Sequence, residues 1–133
     1  MDQQPLTQGL GFPPQQQQQQ PGIESQMNPL PISIADNYLA CGKLNNKVAL
    51  ISGGDSGIGR AVALAFAREG AKIVITYLNE HDDAAATRQR VEQSGQSCLT
   101  IAGDIGSEAF CQQVVAQTIK EFGQLDILVN NAA

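Results

Sequence analysis

The chain has 133 residues, 42% of them apolar, and a formal net charge of −5. That is enough for one small domain with a modest core, and the acidic balance argues against nucleic acid or an anionic membrane as a partner. Aromatic residues are few and tryptophan is absent, which does not favour base stacking, and no apolar run approaches the roughly 20 residues of a membrane-spanning helix. The N-terminus shows no basic region followed by an apolar core, so no secretory signal is visible. Cys41, Cys98 and Cys111 are odd in number and lack metal-ligand spacing; they read as buried or idle thiols in a reducing compartment, which points to the cytoplasm.

Residues 1–42 contain "GFPPQQQQQQPG", all six prolines and no Lys or Arg. Such a segment cannot bury enough apolar surface to offset its ordering entropy, so a disordered extension is expected. Its glutamines are read as a solvated tail, with a regulatory or adhesive role as the alternative. Toward its end, Ile32, Ile34, Tyr38 and Leu39 are apolar enough to dock as an irregular strap.

From Lys43 the pattern changes. Short runs rich in Val, Ile and Leu at 47–52, 72–77, 97–102 and 125–130 suit strands buried on both faces of a parallel sheet. Three helices are predicted between them. The first covers 57–69, with Ile58, Val62, Ala65 and Phe66 on one stripe and Gly70 as its stop. The second covers 81–94 and rests on Ala84, Ala85 and Val91. The third starts near Ser107, a good N-cap, and carries Phe110, Val114, Ile119 and Phe122 before Gly123. The order βαβαβαβ predicts an α/β fold, a Rossmann-type doubly wound parallel sheet over residues 43–133. Such a sheet normally has five or more strands, so an incomplete one with an open edge at 127–129 is expected.

Between the first strand and first helix lies "SGGDSGIG", residues 52–59, with four glycines in eight positions. Gly53 lets the chain turn sharply off the strand. Gly57 admits a pyrophosphate to the backbone, and Gly59 lets the helix pack close to the sheet. The helix N-terminus, with unpaired N–H groups and a positive dipole end, faces the same spot. A phosphate-cradling P-loop does not fit, because it needs Lys and then Ser or Thr after the last glycine, and here Arg60 and Ala61 follow. The remaining alternative is a ligand-free turn.

"SGGDSGIG" resembles the TGxxxGxG motif of the short-chain dehydrogenase/reductase family, with Ser52 where Thr is usual. "GDI" at 103–105 is similar to the Asp segment after the third strand, and "LDILVNNAA" at 125–133 resembles the NNAG segment, with Ala133 in place of Gly. The phrase "KVALISGGDSGIGRAVALAFAREGA" is similar to a subgroup of aldehyde reductases and glucose-dehydrogenase-like oxidoreductases, which also carry a Gln- and Pro-rich extension. The resemblance covers 43–133. It implies a bound nicotinamide dinucleotide, with Gly53, Gly54, Asp55, Ser56, Gly57, Ile58 and Gly59 lining the pyrophosphate and adenosine ribose. Asp104 and Ile105 flank the adenine on this reading, and Asn131 approaches the nicotinamide-side ribose. Taken singly, Asp104 also reads as a turn residue before a helix, and Asn130 and Asn131 as strand-end hydrogen bonders.

The residue ending the second strand often reads the ribose 2′ position, where an acid selects NAD and a nearby Arg accepts the 2′-phosphate. Tyr77 and Leu78 stand there and supply neither device. Ser56 occupies a position where many NADP users place a base, and Asp55, Glu80 and Asp82 add negative charge. Of NAD and NADP, the balance favours NAD. The implied substrate is a small alcohol, aldehyde or sugar, and the implied reaction is oxidation or reduction at its CH–OH or carbonyl group. A homo-oligomer is expected only of a full-length form.

The family's proton transfer relies on a Tyr-x-x-x-Lys pair, because a neighbouring ammonium lowers a phenol's pKa toward neutrality. Here Tyr38 is followed four residues on by Gly42, and Tyr77 by His81. His81 itself reads as a surface residue. No catalytic residue is assigned and no metal cluster is read, so the chain alone is expected to be inactive. It reads either as the N-terminal portion of an oxidoreductase or as a non-catalytic dinucleotide-binding or interaction fragment.

Overall fold

The computed structural model describes residues 14–20 and 22–132. Residues 1–13, part of the predicted extension, lie outside the described residues, as does Ala133. The chain divides between Leu30 and Pro31 into two compact units. In the first, a 3₁₀ turn spans Glu24–Gln26, and glutamine side chains fold onto nearby backbone. Gln15 Oε1 accepts from the Asn28 amide at 2.8 Å, and Gln17 Nε2 donates to the Ile23 carbonyl at 2.6 Å.

The second unit carries β1 (Val48–Ser52), α1 (Gly57–Arg68), β2 (Lys72–Tyr77), α2 (His81–Gln93), β3 (Cys98–Ala102), α3 (Glu108–Phe122) and β4 (Ile127–Val129). The strands form one sheet in the order β3-β2-β1-β4, every pairing parallel. Strand side chains alternate between faces, and each face of the sheet has its own core. Ala49, Ile51, Ile73 and Ile75 pack with Ala63, Leu64 and Ala67 of α1 and Ala84 and Val91 of α2. Val48, Leu50, Val74 and Ile101 pack on the other face with Val114 of α3. Helices on both faces make this the doubly wound α/β arrangement the sequence predicts. β1 is buried throughout, whereas β4, at the edge, is half-exposed. Burying Ile51, Ile73 and Ile75 stabilises the sheet by about 1.5–3 kcal/mol per side chain.

Every predicted helix lands within a residue or two; the buried face of α1 is rotated from the predicted one, whereas α2 buries Ala84 and Val91 and α3 packs Phe110, Val114 and Phe122 as expected. In α1 the fully buried positions are Gly59, Ala63, Leu64 and Ala67, while Val62 and Phe66 are partly buried and Ile58 is 76% exposed. Small side chains face the sheet because the helix lies close against it. In α2, Ala84, Thr87 and Val91 are buried and Ala85 is exposed. In α3, Thr118 is buried where Ile119 was expected, its hydroxyl donating back to the Val114 carbonyl at 2.8 Å. The predicted strap docks through Ile34 and Leu44, whereas Ile32 and Leu39 face solvent. It is fastened to the end of α1 by Leu44 N–H to Glu69 O at 2.9 Å and Cys41 N–H to Glu69 Oε1 at 2.8 Å.

Candidate functional site

The chain runs outward from β1 through β2 to β3, then returns to place β4 on the other side of β1. In open α/β sheets such a switch point leaves a crevice at the strand ends, the usual ligand position. The β1–α1 turn lies over it. Gly53 leaves the strand at φ 68°, in the left-handed region that glycine tolerates, and its amide donates to Thr76 O at 2.9 Å. A Cβ on Gly54 would overlap the Ile75 side chain, and one on Gly59 would overlap the Gly53 carbonyl. Gly57, at φ 58°, faces open space.

The opposite wall is the end of β4. Ser52 Oγ accepts from the amides of Asn131 and Ala132 at 3.0 and 3.2 Å and donates to Val129 O at 3.3 Å. Asn131 Nδ2 donates to Gly53 O at 3.2 Å. Ser52, in the place where the family pattern has Thr, thus ties the two sides of the crevice together.

Ser56 is extended at φ −152° and its side chain makes no capping bond. The first helical bond runs from Arg60 N–H to Ser56 O at 3.2 Å, and the amides of Ile58 and Gly59 meet no acceptor among the described residues. The carbonyl one residue earlier, that of Asp55, accepts from Arg60 Nε and Nη2 at 3.0 and 2.7 Å and from Thr87 Oγ1 at 2.9 Å. Bare donors and the positive dipole end therefore face the crevice together. The dipole alone favours an anion there by about 0.3–1 kcal/mol, and direct hydrogen bonds add to that.

Asp55 is only 8% exposed. Burial pushes its carboxyl above the usual carboxylate range; its own amide pulls the other way, Glu80 and Asp83 push it further up, and Arg60 pulls it down. Asp83 is the α2 acid that acts on this group. Tyr77 closes β2, its hydroxyl 2.9 Å from His81 Nδ1 and the two rings edge to face. Leu78 follows, exposed. Asp104 and Ile105 lie past β3, one strand further out, and the Gly103 amide reaches Tyr77 O at 2.9 Å. Asp104 shapes its own turn: Oδ1 accepts from Gly106 N–H at 2.8 Å and its carbonyl from Ser107 N–H at 3.0 Å.

The structure thus places Gly53, Gly54, Asp55, Ser56, Gly57, Ile58 and Gly59 beside Asn131 at the ends of β1 and β4, with Tyr77 and Leu78 at the neighbouring strand end and Asp104 and Ile105 beyond. Sequence reasoning missed Arg60 and Thr87. The signal for Thr87 was its i, i+3, i+7 spacing with Ala84 and Val91, since a buried threonine there needs a polar partner. Among the described residues no group of His, Cys, Asp or Glu is placed to hold a metal ion, and no helix is long and apolar enough to cross a membrane.

Residues 47–133 match the family model described as short chain dehydrogenase. An uncharacterised oxidoreductase of Bacillus subtilis is 61% identical over 123 residues, covering 92% of this chain and 43% of the relative. The glucose and ribitol dehydrogenase of Daucus carota is 42% identical over 134 residues, covering 96% of this chain and 46% of that protein. A short chain dehydrogenase from Burkholderia cenocepacia, solved in complex with NADP, superposes with a TM-score of 0.67 at 37% identity, covering 68% of this chain and 37% of that one. The chain spans less than half the length of each of these proteins.

Proposed function

The chain belongs to the short chain dehydrogenase family, and from that premise we propose that residues 43–133 form the dinucleotide-binding part of an NAD(P)-dependent oxidoreductase. A nicotinamide dinucleotide, when bound, supplies the hydride acceptor or donor. This chain's residues bind and orient it. The turn 53–59 holds the pyrophosphate through main-chain amides, with Asp55, Tyr77 and Leu78 on the side of the adenosine ribose. Asp104 and Ile105 flank the adenine, and Asn131 borders the nicotinamide-side ribose. The observation that carries this reading is the pair of unsatisfied amides of Ile58 and Gly59 at the switch point, beside the open space at Gly57.

The substrate is a small alcohol, aldehyde or sugar; the carrot relative's name, a glucose and ribitol dehydrogenase, supports a polyol or sugar. No residue here is assigned to proton transfer, since neither Tyr38 nor Tyr77 has a lysine four positions on, and the isolated chain is inactive on this reading. NAD is the preferred cofactor. The carboxylates of Asp55, Glu80 and Asp83 cluster near the turn, and the one guanidinium among them, Arg60, is already engaged by Asp55 O, Thr87 and Asp83. A 2′-phosphate meets net repulsion there. The free thiols of Cys41, Cys98 and Cys111 suit a reducing compartment, the cytoplasm.

Equilibrium titration with NADH and NADPH, followed by nicotinamide fluorescence, tests this reading. Saturable binding with NADH the tighter ligand is expected. Tighter NADPH binding contradicts the electrostatic argument, and binding of neither overturns the assignment.

A further inference from the structure

We propose that Arg60 and Thr87 are positioning residues for the cofactor: they hold the Asp55 carbonyl away from the Gly59 amide and so keep the first turn of α1 open to a diphosphate. This inference rests on the dinucleotide reading above. In an uninterrupted helix the Asp55 carbonyl is the i−4 acceptor of the Gly59 N–H. Winding α1 back by that one bond consumes a donor the diphosphate needs.

The carbonyl is prevented from doing so by donors on two helices. Arg60 reaches it with Nε and Nη2 at 3.0 and 2.7 Å, and Thr87 of α2 with its hydroxyl at 2.9 Å. Two carbonyl lone pairs facing three donors leave no capacity for a further amide. The donors are themselves fixed. Arg60 Nε also donates to Thr87 Oγ1 at 2.8 Å, and Nη2 donates to the Asp83 carbonyl at 3.1 Å and lies 3.8 Å from the Asp83 carboxylate. The Arg60 side chain is 12% exposed and Thr87 fully buried. A valine has nearly the shape of threonine, and the buried hydroxyl at position 87 is accounted for by its place in this relay. The guanidinium is held along the back of the turn, which makes it a brace for the backbone.

The test compares ADP-ribose, which carries the diphosphate, with adenosine, which does not. Affinities for both, and hydrogen exchange at the Gly59 amide, are measured on the full chain and on Arg60→Met, Arg60→Lys and Thr87→Val. Arg60→Met is expected to weaken ADP-ribose about tenfold, the scale of one hydrogen bond to a charged ligand. Adenosine affinity stays unchanged and exchange at Gly59 slows. Arg60→Lys, whose ammonium can direct one N–H at the carbonyl in place of the two-pronged guanidinium, recovers part of the loss, and Thr87→Val gives a smaller loss of the same selectivity. Equal loss for both ligands, unaltered ADP-ribose affinity, or unaltered exchange at Gly59 overturns the proposal. Thr87→Val preserves packing and decides the matter if the Arg60 variants fail to fold. A wild-type chain that binds no ADP-ribose overturns the dinucleotide reading itself, and this inference with it.

Discussion

Two strand-to-helix turns leave the same rim of the sheet, and they treat the third amide of their helices, Gly59 in α1 and Phe110 in α3, in opposite ways. After β3, Asp104 folds its carboxylate onto the Gly106 amide, and Ser107 caps α3 by accepting from Phe110 N–H at 3.3 Å. After β1, Ser56 occupies the corresponding N-cap position without a side-chain bond, and the preceding carbonyl is drawn away by Arg60 and Thr87. The β3–α3 turn supplies its own acceptor for the third amide of its helix, that of Phe110. In the β1–α1 turn, polar groups that the chain could have satisfied are left open at the switch point of the sheet. A capped helix start serves the fold, and an uncapped one over a crevice serves an anion.

The difference can be attacked most strongly at Gly59. Its Cβ would overlap the Gly53 carbonyl and lie 2.7 Å from Asn131 Nδ2, so Gly59→Ala should destabilise the fold by about 1–3 kcal/mol or more, an overpacking cost. Urea denaturation measures it, and a near-neutral result would show that Gly59 is not packed against the Gly53 carbonyl and Asn131. A smaller effect separates the two caps. Ser107→Ala should cost about 1 kcal/mol and leave NADH affinity unchanged, whereas Ser56→Ala, with no capping bond to lose, should leave stability nearly unaltered. Equal costs at the two serines would erase the distinction.

The smallest effect concerns Asp55. Its folded pKa is raised by burial, above all, and by Glu80 and Asp83. The native state therefore holds the proton more tightly than the unfolded chain, and stability falls as pH rises from the ordinary carboxylate range through the raised value. Asp55→Asn should remove that decline and give a higher melting temperature at neutral pH. A variant less stable than wild type at pH 7 would mean that the charged carboxylate is favoured in the fold. Asp126 has the opposite sign. The Val48 amide at 2.8 Å and then Gln124 hold its carboxyl below the usual range, so its contribution is present at neutral pH and lost as pH falls through the lowered value.

The parts of this fold legible in the sequence were those written in large apolar residues. β1 and β2 were plain because their runs are buried on both faces, and the glycine turn was plain because its spacing sits between a strand and a helix. The helix faces were less legible. Ile58 counted as core on hydrophobicity, yet α1 begins over the crevice and leaves it exposed, while Gly59, Ala63 and Ala67 provide the close approach to the sheet. Thr87 and Thr118 are buried because their hydroxyls find carbonyls, at Asp55 and Val114. Those are tertiary and back-bonded contacts that no count of apolar spacing contains. Arg60 was visible only as a residue that was not a P-loop lysine. Its role depends on an acceptor five residues back and on a second helix.

The central claim, that main-chain amides at the start of α1 grip the diphosphate, is tested most directly by titrating ¹⁵N-labelled protein with ADP-ribose and following backbone amide shifts. The account predicts large, saturable shifts at Ile58 and Gly59, with little change at Phe110 and Cys111 in the capped first turn of α3. Unmoved Ile58 and Gly59 resonances at saturating ligand, or equal shifts in both helices, would contradict it.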